Sequence, residues 1–490
     1  MAYKGKHVRP KEKKPWIRKL LFFVLIGLLI VGCLWGISSL RNRNPNGTDV
    51  ESNTTTPSLE SFDNDSTTAP TKVVYEEPPE TEPEPVIYTA TIGAMGDLLM
   101  HKPLFGSDYK AEVYQSGTYN FESIFEHIKD DVSALDYAVA NLETTLCGAD
   151  NGYEYSGYPS FNCPDSIVTG VKNAGFDMLL TANNHSMDTG LVGYKRTVSV
   201  IVEEGLETLG TYSIPDATKW TIQNINNINV GMMCYTYATG ETSDGRPILN
   251  GGYAMKEKDL CNYFSYQNLD RFYNEVETYL DEMNDAGADI TMIYIHWGAE
   301  YQLKENAEQS RIAQRLCDMG IDVIIGGHPH VVQPVDLIES TISDHKTICV
   351  YSTGNAVSNQ RQGALSAIST AHTEDGILCT VSFTKPENGE AYVSGFSIIP
   401  TWVNMFTNEN GRREYNILPL HRETVDTWQE DYGLSNVAYN KAQESFDRTM
   451  DIVGNGLTEI TEHLSSYEPE VPIDISNLSR DSGLLSKTNN

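Results

Sequence analysis

The sequence predicts one α/β domain behind a single N-terminal membrane-spanning helix. Two observations carry this prediction. Residues 20–40 form an almost unbroken apolar run without a charge, and β-like segments alternate with helix-like ones from Val86 to about Pro400. Such an alternation is typical of domains in which helices cover the faces of a sheet. The chain of 490 residues is long enough for a large core.

The N-terminal part has the charge pattern of a membrane anchor. Residues 1–19 contain eight Lys or Arg against one acid, Glu12. Residues 20–40 are long enough to cross a hydrocarbon core of about 30 Å as a helix. The positive-inside rule then puts residues 1–19 in the cytoplasm and the rest of the chain outside the cell membrane.

Two alternatives to an uncleaved anchor exist. A cleaved signal peptide has a shorter apolar core, whereas Leu34 and Trp35 continue the run here, so the uncleaved anchor is favoured. Ile30 to Cys33 looks like a bacterial lipobox, which leaves lipidation of Cys33 open. Either the anchor or the lipid would tether the protein to the membrane.

Composition separates further segments from the domain. Residues 41–85 are rich in Ser, Thr, Asn, Pro and Glu, which predicts a disordered stalk, and residues 465–490 read as a disordered tail. Between them we predict a domain over residues 86–420 and an appended helical segment over residues 421–464.

The charge balance excludes one class of partner. Ten of the 35 basic residues and one of the 67 acidic residues precede Asn44, so the rest of the chain carries 25 basic against 66 acidic residues. Nucleic acid is therefore not an expected partner, because its binding depends on a basic surface. An anionic ligand would have to be held by local cations or by bound metal.

Seven cysteines lie beyond the anchor, and no Cys-x-x-Cys pair occurs. Cys234, Cys349 and Cys379 fall in apolar strand-like runs, which predicts buried free thiols. Cys147 and Cys163 flank a loop rich in Gly and Tyr, and the sequence leaves both a disulfide and two free thiols open.

The domain has eight main strand candidates and five main helix candidates. Five strands are each followed by polar residues: Tyr88–Met95, Tyr137–Ala140, Met178–Thr181, Thr291–Ile295 and Ile321–Ile325. The helices are predicted over Phe121–Leu135, Asp165–Ala174, Gly193–Glu204, Leu269–Asp285 and Ala307–Met319. Three later strands have no long helices between them, which suggests a second, more antiparallel sheet packed on the first: Lys346–Ser352, Ile377–Phe383 and Ala391–Ile399.

The polar residues after the five strands are typical metal ligands. Loops that leave the carboxyl ends of strands in an open α/β sheet line one crevice, so these loops can converge. A single histidine in such a loop is most often structural, but five of the eleven histidines lie here. The segments are Gly96 to His101, Asn141 to Glu143, Asn183 to Asp188, His296 to Gly298 and Gly326 to His330.

Carboxylates, imidazoles and an amide oxygen together suit Mn, Fe or Zn. Two divalent ions about 3.5–4 Å apart can share a carboxylate and lower the pKa of a water between them. We predict Glu143 as the shared carboxylate. The other predicted ligands are Asp97, His330 and His101 for one ion, and Asn184, His296 and His328 for the other.

His185 and Asp188 are predicted to act as an acid–base pair. His185 directly follows the proposed ligand Asn184, so its ring would reach the same crevice without binding metal. Asp188 lies three residues further along the chain and can fix the tautomer of the imidazole. The imidazole could then protonate a leaving group.

The whole set of motifs resembles the bacterial capsule-synthesis CapA family, also called the PgsA-like proteins of poly-γ-glutamate synthesis. The resemblance runs from about Thr89 to Pro400. The motifs that carry it are Gly96-Asp97, Asn141-Leu142-Glu143, Ala182-Asn183-Asn184-His185, Asp188-Thr189-Gly190, His296-Trp297-Gly298-Ala299-Glu300-Tyr301, His328-Pro329-His330-Val331-Val332-Gln333 and Ser352-Thr353-Gly354-Asn355. The family is in turn similar to calcineurin-like metallophosphoesterases, which implies a four-layer α/β sandwich with a two-metal site. Within these motifs Asn141, Glu300, Tyr301 and Asn355 are the predicted substrate-binding residues.

Two functions remain open from the sequence. The first is a membrane-anchored metallohydrolase that cuts a phosphoester or γ-glutamyl amide bond in an anionic capsule or cell-envelope polymer. The second is a non-catalytic scaffold or polymer-binding subunit of a polymer synthesis and export complex. The complete ligand set favours catalysis, because a scaffold has no need of so many titratable groups in one crevice.

Overall fold

A computed structural model describes residues 85–363 and 369–466 of the chain. The predicted cytoplasmic segment, anchor and stalk lie outside these ranges, as does the predicted tail apart from Ser465 and Ser466, which end the last helix. Within the described ranges, no helix combines the length and the apolar composition needed to cross a membrane.

Two large sheets form the centre of the described domain. The first sheet has the order β20 (Arg413–Pro419), β19 (Tyr392–Thr407), β18 (Asp375–Pro386), β1 (Ile87–Leu98), β4 (Tyr137–Leu142), β5 (Met178–Leu180) and β6 (Glu207–Leu209), with β17 (Asn355–Val357) beside β1. Strands β17, β1, β4, β5 and β6 run parallel to one another, and β18, β19 and β20 add an antiparallel half that begins beside β1.

The second sheet is built in the same mixed way. Its order is β12 (Tyr263–Phe264), β8 (Ile228–Tyr237), β13 (Ile290–His296), β14 (Val323–Gly327), β16 (Lys346–Val350) and β15 (Val335–Glu339), with β7 (Thr221–Ile225) beside β8. Only β7 and β15 run antiparallel. Two small sheets complete the strands: β2 (Tyr114–Gln115) with β3 (Thr118–Tyr119), and β9 (Gly240–Glu241), β10 (Pro247–Leu249) and β11 (Tyr253–Ala254).

Nine α-helices accompany the sheets in the described part of the chain. In chain order they are α1 (Lys102–Phe105), α2 (Glu122–Phe125), α3 (Lys129–Ser133), α4 (Ser166–Asn173), α5 (Gly190–Glu204), α6 (Leu269–Asp285), α7 (Ala307–Asp318), α8 (Trp428–Asp431) and α9 (Asn436–Ser466). Short 3-10 turns occur at Ser107–Tyr109, His372–Glu374 and Arg422–Thr424.

Three apolar clusters show how the layers stack. Ile92 and Val139 of the first sheet share one cluster with Met232 and Met292 of the second, so the two sheets face each other. A second cluster joins the outer face of the first sheet to α2, α3 and α4, and a third joins the outer face of the second sheet to α6 and α7. The described domain therefore has four layers, with helices outside and sheets inside.

The predicted grouping of the strands was wrong. The segments Ile377–Phe383 and Ala391–Ile399 do not begin a second sheet, because β18 pairs with β1 and extends the first. Segment Lys346–Ser352 joins the second sheet as β16, parallel to β14. Strand pairing is decided by contacts between distant parts of the chain, which the pattern of each segment does not record.

The five predicted helices are present, with one change. Segment Phe121–Leu135 forms two short helices, α2 and α3, because the residues between them bond from i to i+3, as Ile128 N does to Phe125 O at 3.2 Å. The cysteines that flank the Gly/Tyr-rich loop, Cys147 and Cys163, are both buried free thiols.

The C-terminal helix, most of which lies in the predicted appended segment, packs against both sheets. Helix α9 packs against β19 of the first sheet and β15 of the second. Ser445 donates to Asp375 Oδ1 at 2.6 Å, and Arg448 donates to both oxygens of the same buried carboxylate. At Gly456 the helix meets the carbonyl oxygen of Val335 so closely that an added Cβ would lie 1.7 Å from it.

We expect Gly456→Ala to lower the free energy of unfolding by about 1–3 kcal/mol, because a methyl group there must displace backbone. Gly454→Ala in the same helix is the matched control, since a Cβ at that position meets nothing within 4 Å. The control should raise the free energy of unfolding by about 0.5–1 kcal/mol through helix propensity. Denaturant unfolding followed by circular dichroism measures both, and equal stability of the two variants would mean that α9 does not dock as described.

Candidate functional site

Residues from both sheets meet at the carboxyl ends of the parallel strands. Asp97 lies near the end of β1 in register with Asn141 of β4, and His296 ends β13 in register with Gly327 of β14. Because the two sheets face each other, the loops that follow these strands come together between the sheets. The predicted convergence of five segments therefore takes place across two sheets rather than along one.

Glu143 lies at the centre of this site. Its side chain is fully buried, and neither carboxylate oxygen accepts a hydrogen bond from any described residue. Three imidazoles face Oε1 instead, with Nε2 of His296 at 3.5 Å, of His330 at 3.8 Å and of His185 at 4.0 Å. A buried carboxylate without donors is unfavourable by several kcal/mol unless a cation accompanies it.

Asp97 and His330 form the neighbouring pair. The His330 Nδ1 atom lies 3.0 Å from Asp97 Oδ2, and Asn141 donates from Nδ2 to Asp97 Oδ1 at 2.7 Å. Burial lowers the pKa of His330, but Glu143 and Asp97 outweigh it and raise this pKa to about 9. The pKa of Asp97 lies below its usual value, because His330 and Asn141 outweigh the effect of burial. The electrostatic potential between Asp97 and Glu143 therefore favours a positive charge.

The remaining ligand candidates lie on the other side of Glu143. His296 Nε2 is 2.8 Å from Asn184 Oδ1, and the ring of His328 lies 4.8 Å from that of His296. The Nδ1 atom of His328 is buried and has no partner among the described residues. Burial and the neighbouring imidazoles hold the pKa of His328 well below its usual value, so its ring is neutral and able to bind a metal.

The donor atoms form two overlapping triads. Glu143, His328 and His330 make one, and Asp97, Glu143 and His296 make the other, with all donor atoms of a triad within 4.8 Å of one another. Both triads contain Glu143, as expected for a shared carboxylate. The distances do not divide the other residues between two ions as the sequence analysis allotted them.

His101 belongs to neither triad. Its Nδ1 lies 3.1 Å from the carbonyl oxygen of Leu99 and 3.3 Å from the amide nitrogen of Asn359. Its ring packs edge-on against Phe161, with 5.2 Å between the centroids. These contacts account for Nδ1 alone, so the assignment of His101 as a ligand stays a prediction.

The backbone of the Gly-Gly-His-Pro-His segment explains how two neighbouring histidines reach one site. His328 and His330 have φ values of 96° and 56°, in the left-handed region that side chains other than glycine rarely adopt. The backbone of Gly326 packs so closely against Tyr351 that only glycine fits there: an added Cβ would lie 2.1 Å from the Tyr351 carbonyl oxygen. Such strain is typical of functional sites.

His185 and Asp188 are placed as predicted relative to each other. His185 Nδ1 is 2.7 Å from Asp188 Oδ2, which also accepts from the amide nitrogen of Phe161 at 2.7 Å. Burial lowers the pKa of His185, but Asp188 and Glu143 outweigh it, so the pKa lies above its usual value. Since Nδ1 faces Asp188, Nε2 is the atom directed at Glu143.

Two residues beside His185 were missed by the sequence analysis. The Phe161 ring packs edge-on against His185 at 4.7 Å between centroids, and Asn250 Nδ2 lies 3.3 Å from His185 Nδ1. Asn250 follows β10 in a small sheet that carries no recognisable motif. The only available signal for Phe161 was its place in the Gly/Tyr-rich loop.

The four predicted substrate-binding residues divide into two pairs. Asn141 and Asn355 are buried, and Asn355 Nδ2 faces the carbonyl oxygens of His330 and Thr373 while its Oδ1 lies 3.1 Å from His330 Nδ1. These contacts favour a positioning role for both asparagines. Glu300 is exposed, and the ring of Tyr301 lies 6.4 Å from that of His330, so this pair remains available to a substrate.

Fold and site together define the class of the protein, an α/β domain with a buried cluster of carboxylate and imidazole side chains between two facing sheets. The family model described as bacterial capsule synthesis protein PGA_cap matches residues 91–360, more than half of the chain. The protein belongs to this family.

Curated relatives carry the same association. The chain is 28% identical over 243 residues to the PGA biosynthesis protein CapA of Bacillus subtilis, covering 49% of this chain and 57% of the relative. It is 29% identical over 273 residues to the capsule biosynthesis protein CapA of Bacillus anthracis, covering 55% of this chain and 60% of the relative. The chain thus spans less than two thirds of the length of these relatives.

A more distant relative is a probable polyglutamine synthesis accessory protein of Mycobacterium tuberculosis, 22% identical over 213 residues, covering 42% of this chain and 52% of the relative. Among solved structures, the NAD nucleotidase of Haemophilus influenzae aligns with a TM-score of 0.38 and 9% identity, over 79% of this chain and 69% of that one. A score this low does not define a shared fold.

We expect Asn355→Ala to lower the free energy of unfolding by about 1–3 kcal/mol, because the carbonyl groups that its amide satisfies become unpaired in the core. Glu300→Ala is the control. Its side chain is exposed, so its effect should stay within about 0.5 kcal/mol. Thermal unfolding measures both. A wild-type melting curve for Asn355→Ala would contradict the positioning role and return this residue to the substrate-binding set.

Proposed function

We propose that this protein is a metal-dependent hydrolase with the four-layer fold of calcineurin-like metallophosphoesterases. It would act outside the cell on an anionic capsule or cell-envelope polymer. The observation that carries the proposal is Glu143, a fully buried carboxylate with no hydrogen-bond donor and three imidazole nitrogens within 4.0 Å. A buried carboxylate with a purely structural role would accept hydrogen bonds, whereas neither oxygen of Glu143 has a donor among the described residues.

The donor set fits two divalent ions of Mn, Fe or Zn. Carboxylate and imidazole groups at these positions suit such metals better than soft ones, and the unpaired oxygens of Glu143 and the unpaired Nδ1 of His328 are free to bind them. Asp97, Glu143, Asn184, His296, His328 and His330 would hold the ions. When bound, the ions would supply charge stabilisation and make water a stronger nucleophile at neutral pH.

The other residues of the site would control the proton and the water. Asp188 holds the proton of His185 at Nδ1, which leaves Nε2 directed into the site. Protonated at both nitrogens, His185 can donate from Nε2 to a leaving oxygen or nitrogen. The Phe161 ring against His185 keeps bulk water from one side of the imidazole.

The cellular setting of the proposal comes from the sequence. The basic residues 1–19 followed by the apolar residues 20–40 support a single-pass anchor with the domain outside the cell membrane. The names of the relatives place them in capsule or polyglutamate synthesis. Cleavage of a phosphoester or γ-glutamyl bond would then release or trim the polymer within a synthesis and export complex.

We expect the purified protein to carry two divalent ions per chain and Glu143→Ala to lose both. A shared carboxylate serves both ions, and without it two cations repel each other across an open site. Elemental analysis by mass spectrometry decides this, with Asn250→Ala as the matched control because Asn250 contacts His185 and no proposed ligand. One full equivalent retained by Glu143→Ala would show that Glu143 does not bridge.

We expect His185→Asn to keep both ions and the fold while turnover falls about 10²–10⁴-fold, the usual contribution of a positioned general acid. Asp188→Asn should show a smaller loss of the same kind, because it leaves the imidazole in the site and changes its tautomer and charge. Turnover should be measured with a phosphodiester and with a γ-glutamyl amide.

Loss of metal from His185→Asn would instead identify His185 as a ligand. If the metal-loaded wild-type protein cleaved neither compound, a non-catalytic polymer-binding subunit would become the better account.

A further inference from the structure

A groove adjoins the proposed metal centre on the side of His101. Its volume is about 940 Å³, and His101, Asn359, Ser156 and Tyr158 are among the residues that line it. The Phe161 ring packs against His101 on this side and against His185 on the other. His101, which lines the groove, is thus linked through the Phe161 ring to His185 of the proposed centre.

The charge of the groove is opposite to that of the chain around it. Four of its lining residues are basic, namely Lys102, Arg361, Arg413 and Lys441, and Glu374 is the only acid among them. The whole chain after Arg43 contains 25 basic against 66 acidic residues. Basic residues are thus concentrated where acidic residues predominate elsewhere.

One pair in the groove is already neutralised. Arg361 Nη2 lies 2.6 Å from Glu374 Oε2, and both side chains are buried. Arg361 Nη1 also donates to the carbonyl oxygen of Val403. This pair forms part of the wall, and the charge of Glu374, the one acid among the lining residues, is neutralised by Arg361.

The other three cations keep their charge available. Lys441 is exposed, and neither Lys441 nor Arg413 forms an ion pair within residues 85–363 and 369–466. Lys102 lies 3.5 Å from Asp108, but both groups are about half exposed, so water and salt weaken this pair. Without an anion, three positive groups share one groove.

Two tyrosines add a second kind of contact. The Arg413 guanidinium lies over the Tyr109 ring, 5.7 Å from its centroid, which holds the cation at the groove rather than in solvent. Tyr158, a second aromatic residue of the lining, is 74% exposed. An exposed aromatic ring beside unpaired cations suits a ligand with a flexible apolar backbone and charged substituents.

We infer that this groove binds an extended polyanion whose anionic groups meet Lys102, Arg413 and Lys441. The role of the groove depends on the proposed function, because the groove would bind the polymer that the metal centre cleaves. It also accounts for how an acidic protein can accept an acidic polymer. Three separate cations along a groove of this volume favour a chain over a single small anion.

The test measures binding of fluorescent γ-linked polyglutamate and of long-chain polyphosphate to the full-length protein by fluorescence anisotropy at low salt. A His185→Asn background suppresses turnover during the measurement. Charge reversal at Lys441 or Arg413 should weaken binding about tenfold or more, and raising the salt concentration should weaken the wild-type complex. Whichever of the two polymers binds more tightly identifies whether carboxylate or phosphate groups are preferred.

Lys258→Glu is the matched control, because Lys258 is exposed, lies outside the groove and undergoes the same change of charge. Its binding should stay within about twofold of wild type. The inference is overturned if neither polymer binds, if Lys258→Glu weakens binding as much as Lys441→Glu, or if a single-stranded oligonucleotide binds more tightly than both polymers. Thermal unfolding of each variant must match that of wild type.

The groove and the hydrolase can fail separately. Polymer binding that depends on Lys441 and Arg413, in a protein that cleaves no substrate, would support the groove and contradict the proposed function. Cleavage of a small phosphodiester with wild-type kcat in both charge-reversal variants, but with unchanged polymer affinity, would support the hydrolase and contradict the groove.

Discussion

The buried charge of Glu143 is the constraint on which the rest of the site depends. Its carboxylate lies where no described residue donates a hydrogen bond, and an uncompensated charge in that position opposes folding by several kcal/mol. The surrounding imidazoles, the left-handed backbone at His328 and His330, and the close packing at Gly326 all bring nitrogen donors towards the same point. Divalent cations at that point would turn an unfavourable arrangement into a favourable one. The fold of this domain thus places the carboxyl ends of parallel strands from two sheets around one carboxylate.

Much of this could be predicted from the sequence, because the ligand residues follow apolar runs that are recognisable as strands. Helix α6 and the start of α7 have the predicted bounds, since strong apolar periodicity marks both. The division of the strands between two sheets could not be predicted, because pairing partners such as β1 and β18 lie far apart in the chain. The orientation of the His101 imidazole could not be predicted either, because its spacing from Asp97 does not determine where the ring points. Asn250 and Phe161 come from loops without a motif, and only the folded chain brings them to His185.

An acidic domain can bind an acidic polymer only where its surface carries a local excess of positive charge. Most of the surface would repel an anionic chain and so limit non-specific adsorption in the cell envelope. In the groove beside His101 the surface charge is positive instead of negative, because basic residues predominate in its lining. Metal ions in the proposed centre would add further positive charge. Binding energy along the groove would orient a bond of the polymer at Glu143 and His185, which is how remote contacts contribute to catalysis. Helix α9 contributes Lys441 and docks on both sheets, so the C-terminal segment belongs to this arrangement as well.

The central claim is that Glu143 is shared by two metal ions. A crystal structure of the protein as purified, with anomalous diffraction collected at the absorption edges of Mn, Fe and Zn, tests it most directly. We predict two anomalous peaks about 3.5–4 Å apart, on either side of the Glu143 carboxylate, with the imidazoles of His296, His328 and His330 around them. A single peak remote from Glu143, or none in a well-ordered site with Glu143 hydrogen-bonded to water alone, would contradict the account.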